Sequence, residues 1–354
     1  MTTSLPKTIF SGYWRGGHCQ GIAVDTQRNY IYYSFTTELV KTDLAGNLIG
    51  SVKGLLGHLG CLAFNDADGK VYGSLEYKND AIGKGVLQNL GKDIEMEEAF
   101  YIAVFDVDKI NRVDMDAATD GVMQTVYLKE VVNDYCADVE RNGRMLKHRY
   151  GCSGIDGTTF APIPGSDDAR KYLMVAYGIY SDTKRRDNDH QVILCYDVAD
   201  WAAYARPLVQ TAMHKSGPEA PLRKFFVHTG NTTYGVQNLE YDPYTNTILT
   251  AVYRGSKLEY PNYPFFAIDA AAAPEMQQLR RMDEEGEMLQ LAKMGEYDAF
   301  TETYGWYWRL GMVGMYSFGD GTYYFAQDGR NENGWYVNVN LYRWDETHPF
   351  ALVD

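Results

Sequence analysis

A five-bladed antiparallel β-propeller is the fold this sequence predicts, on three observations. A four-strand unit opens the chain, its glycine-flanked start recurs four more times, and the composition suits strands and turns. The 354 residues are 45% hydrophobic and 14% aromatic, with 29 Tyr and 34 Gly against 11 Pro, a balance that favours pleated, half-buried strands over disorder. A chain longer than one ordinary core of roughly 100–200 residues implies either two domains or one repeat architecture. The recurring unit makes it a single domain over 1–354.

The unit is clearest from Gly17, where GHCQGIAVDTQRNYIYYSFTTELVKTDLAGNLIGSVKGL divides into four alternating runs separated by turn residues. Strand A covers about His18 to Val24, B about Tyr30 to Thr37, C about Glu38 to Leu44 and D about Asn47 to Lys53. The start returns as GHLGCLAF around Leu62, YGCSGIDGTTF around Ile155, YGVQNLEYD around Leu239 and LGMVGMYSF around Met315. A glycine or other small residue before each apolar anchor lets inner strands crowd a narrow axis. Second strands follow as KVYGSLEY, KYLMVAYGIY, NTILTAVYRG and GTYYFAQDG, and third strands as FYIAVFDVD, QVILCYDV, PFFAIDA and VNLYRWD.

Anchor spacings of 40, 93, 84 and 76 residues leave room for a sixth blade. Five is the preferred count, because Leu128 to Asn142 and Ala270 to Glu285 read as short helices rather than missing strands. Ring closure falls either to Lys7 to Tyr13 or to the tail HPFALVD, pairing with the last blade.

The first blade, with GIAVD, IYYS and KTDLAGNLIG, resembles the repeats of NHL and SMP-30-like propellers over about one repeat. The resemblance implies the fold and no more. In SMP-30 lactonases an acidic residue early in the chain and later Asn and Asp side chains hold a divalent cation. The matching stretch here is GGHCQG, without a carboxylate, so that metal site and its lactonase activity do not carry over.

Charge and targeting narrow the function. The net charge of −14, with no long Lys or Arg run, argues against a nucleic-acid partner. MTTSLPKTIFSGYW has no export signal and no stretch of 18 apolar residues occurs, so neither export nor a membrane is expected and the chain reads as soluble and cytoplasmic. Five cysteines without CxxC spacing fit free thiols in a reducing compartment. Cys19, Cys61 and Cys152 sit beside the axial anchors, where a small buried hydrophobe is the expected role. No GxSxG, P-loop, HExxH or post-strand GxGxxG is present.

In an antiparallel blade the B-to-C and D-to-next-A loops share one face. The long insertions are of these kinds: Glu76 to Glu98, Gly178 to His190, Arg254 to Tyr263 and Gln327 to Tyr336, then Leu128 to Tyr150, Met213 to Tyr234 and Lys293 to Leu310. A site is therefore expected at this mouth.

His18 and His58 start adjacent A strands and could serve as general acid and base or bind a divalent metal ion. The alternative is that each imidazole bonds a neighbouring loop. Glu76 and Asp328, at B-strand ends, could form a glycosidase-like carboxylate pair or simply a solvated rim. Tyr180, Arg254, Arg309, Gln327, Trp308 and Trp335 are the candidates for binding substrate, the arginines as anion forks and the aromatics as stacking surfaces. The tryptophans, with Trp306 and Tyr307, could equally fill gaps between blades, and the arginines could join blades by salt bridges. Glu240, Asp242 and Asp25 are expected to stabilise turns. The leading expectation is a hydrolase-like enzyme acting on a polar small molecule such as a carbohydrate, glycoside or lactone. The alternative is a non-catalytic ligand-binding or protein-interaction propeller.

Overall fold

A computed structural model describes residues 5–141, 143–345 and 348–354. It has five small antiparallel sheets in a ring, the predicted five-bladed β-propeller, and the sixth blade that the spacings allowed is not among them. Blade 1 is formed by Cys19–Asp25, Tyr30–Phe35, Glu38–Asp43 and Leu48–Lys53. Blade 2 is formed by His58–Asn65, Lys70–Tyr77, Ala99–Phe105 and Met123–Tyr127. Blade 3 has Cys152–Ala161, Tyr172–Ile179, His190–Tyr196 and Arg223–His228, and blade 4 has Val236–Asp242, Thr247–Val252 and Phe265–Asp269. Blade 5 is formed by Met315–Ser317, Thr322–Asn331 and Gly334–Trp344.

Both candidates for closure take part. Thr8–Phe10 pairs with Asn338 to Asn340, and Phe350–Leu352 pairs with Tyr342 to Trp344, end to end along one edge of the same strand. The 11-residue third strand of blade 5 is long enough to receive both.

The inner strands meet at the axis through glycine. A Cβ on Gly21 would stand 2.8 Å from Cys61 Cα and Leu62 N of the next blade, and one on Gly314 would stand 2.9 Å from Ile22 N. Only a residue without a side chain permits so close a backbone approach. In blades 1 to 4 the A–B pairing slips just after the strand begins, at Cys19/Gly21, Leu59/Leu62, Ile155/Thr158 and Val236/Asn238. Such bulges bend a strand and re-aim its first side chains. Inside the ring Asn238 Nδ2 donates to Gln20 O and Met312 O, and Cys61 Sγ lies 3.1 Å from Asn238 Oδ1. Cys19, Cys61 and Cys152 are buried there.

The residues beyond a minimal blade build additions. The helix Ala81–Asn89 stands between strands B and C of blade 2, and Lys129–Tyr135 occupies part of the expected helix that ended at Asn142, a residue outside those described. Ala270 to Glu285 is not a helix. Glu275–Gln278 pairs with Glu285–Leu289, which runs parallel to Arg223–His228 at the open edge of blade 3. The helix-favouring run AAAAPEMQQLRR yields to tertiary pairing, and Pro274 at its start removes a helical donor. Gln327 to Tyr336 is likewise no loop: it continues both strands of a long hairpin that turns at Glu332 and Asn333. Among the described residues no helix is long and apolar enough to cross a membrane.

Candidate functional site

The mouth of the ring holds a cleft of about 440 Å³ lined by Arg15, His18, His58, Gly85, Arg330 and Trp335, with Thr36 and Thr37 at its side. His18 immediately precedes the first strand of blade 1, His58 opens the first strand of blade 2, and the extended hairpin of blade 5 supplies Arg330 and Trp335. The helix Ala81–Asn89 walls the remaining side, Gly85 facing in with open space beyond its Cα. The guanidinium of Arg330 lies 5.4 Å from the Trp335 ring centroid, and the His18 ring 5.8 Å from it.

Beneath His58 lies a buried ionic cluster. Strand B of blade 2 ends at Glu76 and Tyr77, and the chain runs on through Lys78 and Asn79 to Asp80, the cap of the helix, so that three charged side chains meet within five residues. Lys78 Nζ is 2.5 Å from Glu76 Oε1, 3.6 Å from Asp80 Oδ2 and 2.7 Å from the Ser153 carbonyl to which it donates. Glu76 Oε2 accepts from Ile155 N at 3.1 Å. Asp80 Oδ1 accepts from Ile82 N and Gly83 N, capping the helix, while its other oxygen accepts from Tyr180 OH at 2.9 Å.

A third carboxyl, Asp156, comes from the bulged start of blade 3. His58 Nδ1 stands 3.8 Å from Glu76 Oε1 and 3.9 Å from Asp156 Oδ1. Gln237 Nε2 donates to the other Asp156 oxygen at 3.1 Å. Side-chain exposure is 3% for Glu76, 4% for Lys78, 11% for His58 and 14% for Asp156, so bulk water screens little here. His58 Nδ1 and Asp156 Oδ1 are both buried and lack a hydrogen-bond partner.

These surroundings set the protonation states. Burial, then the positive charge of Lys78, pulls the His58 imidazole down to about 3, so it is neutral at ordinary pH. Burial raises Asp156 well above the usual carboxylate range, and the nearby Glu76 charge raises it further. Burial raises Glu76 as well, against the pull of Lys78. Lys78 remains a cation: burial opposes its charge, but Glu76 and Asp80 outweigh it. Asp80 ends below its ordinary value because Lys78, two helix N–H groups and Tyr180 together overcome burial. The cluster thus carries one buried cation and more carboxyl groups than that cation can neutralise, which favours a retained proton.

His18 forms the second half of the mouth. Its Nε2 lies 2.5 Å from Gln20 Nε2. Burial lowers its affinity for a proton while Asp328 partly restores it, and burial raises Asp328 against the effect of His18. Burial, with Asp156 and Asp328, lifts the Tyr253 hydroxyl to about 12.

Of the residues expected here, His18, His58 and Trp335 line one cleft, with Glu76 directly beneath. Glu76 faces Asp156 and Lys78, whereas Asp328 acts on His18, so the structure groups the carboxylates differently from a simple Glu76/Asp328 pair. Tyr180 joins through Asp80. Trp308 packs instead on Phe325, Tyr342 and Phe350 inside blade 5, and Trp306 packs on Phe265 and Trp344. Both serve as filling between strands, because the long blade 5 sheet has apolar faces to cover.

Arg254 is exposed with its guanidinium 5.4 Å from the Tyr307 ring, Arg309 is exposed, and Gln327 accepts from Asn340 Nδ2 on the same sheet at 3.4 Å. None of the three lines the cleft. Asp25 and Asp242 accept from turn N–H groups as expected, but Glu240 lines a separate cavity at the opposite end of the axis and accepts from Ser317 N. Lys78, Asp156, Arg15 and Arg330 were not singled out from the sequence. The alternating E-Y-K-N-D run and the single acidic residue in YGCSGIDGTTF were the available signals.

Among the described residues no group of three His, Cys, Asp or Glu side chains is placed to hold a metal ion. No protein-family model matches the chain, and no curated protein matches its sequence. Among solved structures, the chain is similar to the PQQ domain of a pyranose dehydrogenase from Coprinopsis cinerea, in holo form, at 11% identity and a TM-score of 0.35, covering 90% of this chain and 81% of that one. It is also similar to the soluble aldose sugar dehydrogenase of Escherichia coli, in apo form, at 9% identity and a TM-score of 0.37, covering 94% and 99% of the two chains. Likeness at this level says nothing about activity.

Proposed function

We propose that the protein is a hydrolase of a polar small molecule of the carbohydrate class, a glycoside or a lactone, acting in the cleft between His18, His58 and Trp335. The observation that carries this reading is the neutral His58 imidazole, which lines the cleft while its Nδ1 faces two buried carboxyls, one of which favours keeping its proton. In hydrolysis a proton goes to the departing oxygen as its bond to carbon breaks. The attacking water gives up a proton as its oxygen bonds to that carbon. Asp156 and Glu76 act as the acid reservoir and His58 as the group that passes the proton toward the cleft. His18, with Asp328 beside it, takes the proton from water. Trp335 offers an apolar ring face to a sugar, and Arg15 and Arg330 orient its oxygens. Were a divalent ion to bind at the mouth, His18 and His58 would hold it and it would polarise the attacking water, and turnover in EDTA tests this.

The test is turnover of a panel of aryl glycosides and lactones by the wild-type chain and by Asp156→Asn. Turnover of at least one member is expected, with kcat lowered roughly 100-fold or more in the variant and the fold unchanged. Binding of a sugar without turnover of any panel member would overturn the assignment. A non-catalytic binding propeller is the second reading, favoured by the Arg330–Trp335 stack, which binds a ring whether or not chemistry follows. Under that reading the double variant His18→Ala/His58→Ala keeps its ligand affinity.

A further inference from the structure

A second cleft, of about 340 Å³, opens where the hairpin Asp138–Arg141/Arg144–Lys147 meets the loop 182–187 of blade 3. Its lining has six cations, Arg141, Arg144, Lys184, Arg185, Arg186 and Arg281, against two acids, Asp182 and Asp187, in a chain whose net charge is −14. Three of the cations build the wall. Arg185 forks onto Asp187 with two contacts of 2.8 Å and donates to Lys147 O and His148 O, which ties the loop to the hairpin. Arg141 pairs with Glu284, and Arg281 lies 3.4 Å from Asp189 and 3.3 Å from Glu259.

The other three, Arg144, Lys184 and Arg186, are exposed, and among the described residues their side chains have no carboxylate or hydrogen-bond partner. Three unpaired cations around one concave surface repel each other and gain nothing for the fold. A bound anion would reverse that sign. At physiological salt, charges beyond roughly 8 Å are largely screened, so a ligand in the cleft responds to this local excess and not to the remote acidic surface.

We propose that this cleft binds a small ligand carrying two or more adjacent phosphate groups, held by the guanidinium forks of Arg144 and Arg186 and the ammonium of Lys184. Guanidinium forks match phosphate oxygens two at a time, and a lysine adds a point charge. A cleft of about 340 Å³ suits a small ligand, and the net charge of −14 disfavours a nucleic acid. The proposal is independent of the chemistry assigned to the mouth.

The experiment is calorimetric titration of the full chain with sodium tripolyphosphate, citrate and duplex DNA at about 50 and 200 mM NaCl. Saturable binding of tripolyphosphate, weaker at the higher salt, is expected. Arg144→Ala/Arg186→Ala should weaken it about tenfold or more without changing the melting temperature, because neither side chain supports the fold. Absence of saturable binding, or equal affinity in the double variant, overturns the site. Tighter binding of citrate or of DNA overturns the ligand class.

Discussion

Replacing Lys78 by Met is the sharpest probe of the buried cluster, because it removes the charge and keeps most of the unbranched side chain, shortened by one atom. Lys78 is 4% exposed and stands 2.5 Å from Glu76 and 3.6 Å from Asp80. Without it, the Glu76 carboxylate must stay charged with only the Ile155 N–H to stabilise it or take up a proton. Loss of one partner from a buried pair costs about 3–5 kcal/mol.

The pH dependence has a definite sign. Glu76 is already raised above its ordinary 4.5 by burial, and losing Lys78 raises it further. A carboxyl raised in the folded state contributes fully below its unfolded value, and that contribution is lost as pH rises through the folded value. Lys78→Met should therefore be destabilised by about 3–5 kcal/mol at pH 7 and by less at pH 4.5. Adding Glu76→Gln should recover at least ~1 kcal/mol at pH 7, as expected for groups in direct contact. Urea unfolding followed by circular dichroism at both pH values measures this. A loss below ~1 kcal/mol at pH 7, or an equal loss at both pH values, would refute the electrostatic account.

Four further outcomes concern Glu240, Gly85 and Gly21. Burial lifts Glu240, at the far end of the axis, to about 8 from an ordinary 4.5, against a hydrogen bond from Ser317 N. Its contribution is full below pH 4.5 and is lost as pH rises through about 8. Glu240→Gln should accordingly remove about 2–4 kcal/mol of that decline, after allowance for its partial contact with solvent, and an unchanged slope of melting temperature against pH would contradict this. Gly85 has nothing within 4 Å of an added Cβ; Gly85→Ala should stabilise the helix by about 0.5–1 kcal/mol. Gly85→Trp should block ligand binding in the cleft with the fold intact, which calorimetry and circular dichroism together would show. Gly21→Ala would set a methyl 2.8 Å from the backbone of blade 2, and a loss of about 1–3 kcal/mol or more is expected in urea unfolding.

The sequence showed the blades because each repeats a local rule: alternating apolar residues, a turn, and a glycine where strands crowd the axis. It also placed His18, His58, Glu76 and Trp335 at one end, since strand alternation and blade polarity suffice for that. It did not show which groups meet across blades. Asp156 reaches His58 only because the bulge between Ile155 and Thr158 turns the start of blade 3 inward, and a bulge has no signature beyond its glycines. Nothing local sets Lys78 apart in the sequence, because the Ser153 carbonyl that accepts from it belongs to the next blade. The helical reading of Ala270 to Glu285 failed because local propensity was weaker than pairing with an open edge of blade 3. Trp308 looked like a mouth residue, but the neighbours that enclose it, Phe325 and Phe350, come from strands close in space and distant from it along the chain.

The proton that the mouth is proposed to supply can be observed directly. Carbon-13 NMR of carboxyl-labelled protein, assigned with Asp156→Asn and Glu76→Gln, reports whether either group remains protonated near pH 7. One persistently protonated carboxyl is expected, absent from the spectrum of the variant that lacks it. If both groups titrate together near pH 4 in the folded protein, the site holds no acid at neutral pH and the proposed chemistry has no proton source.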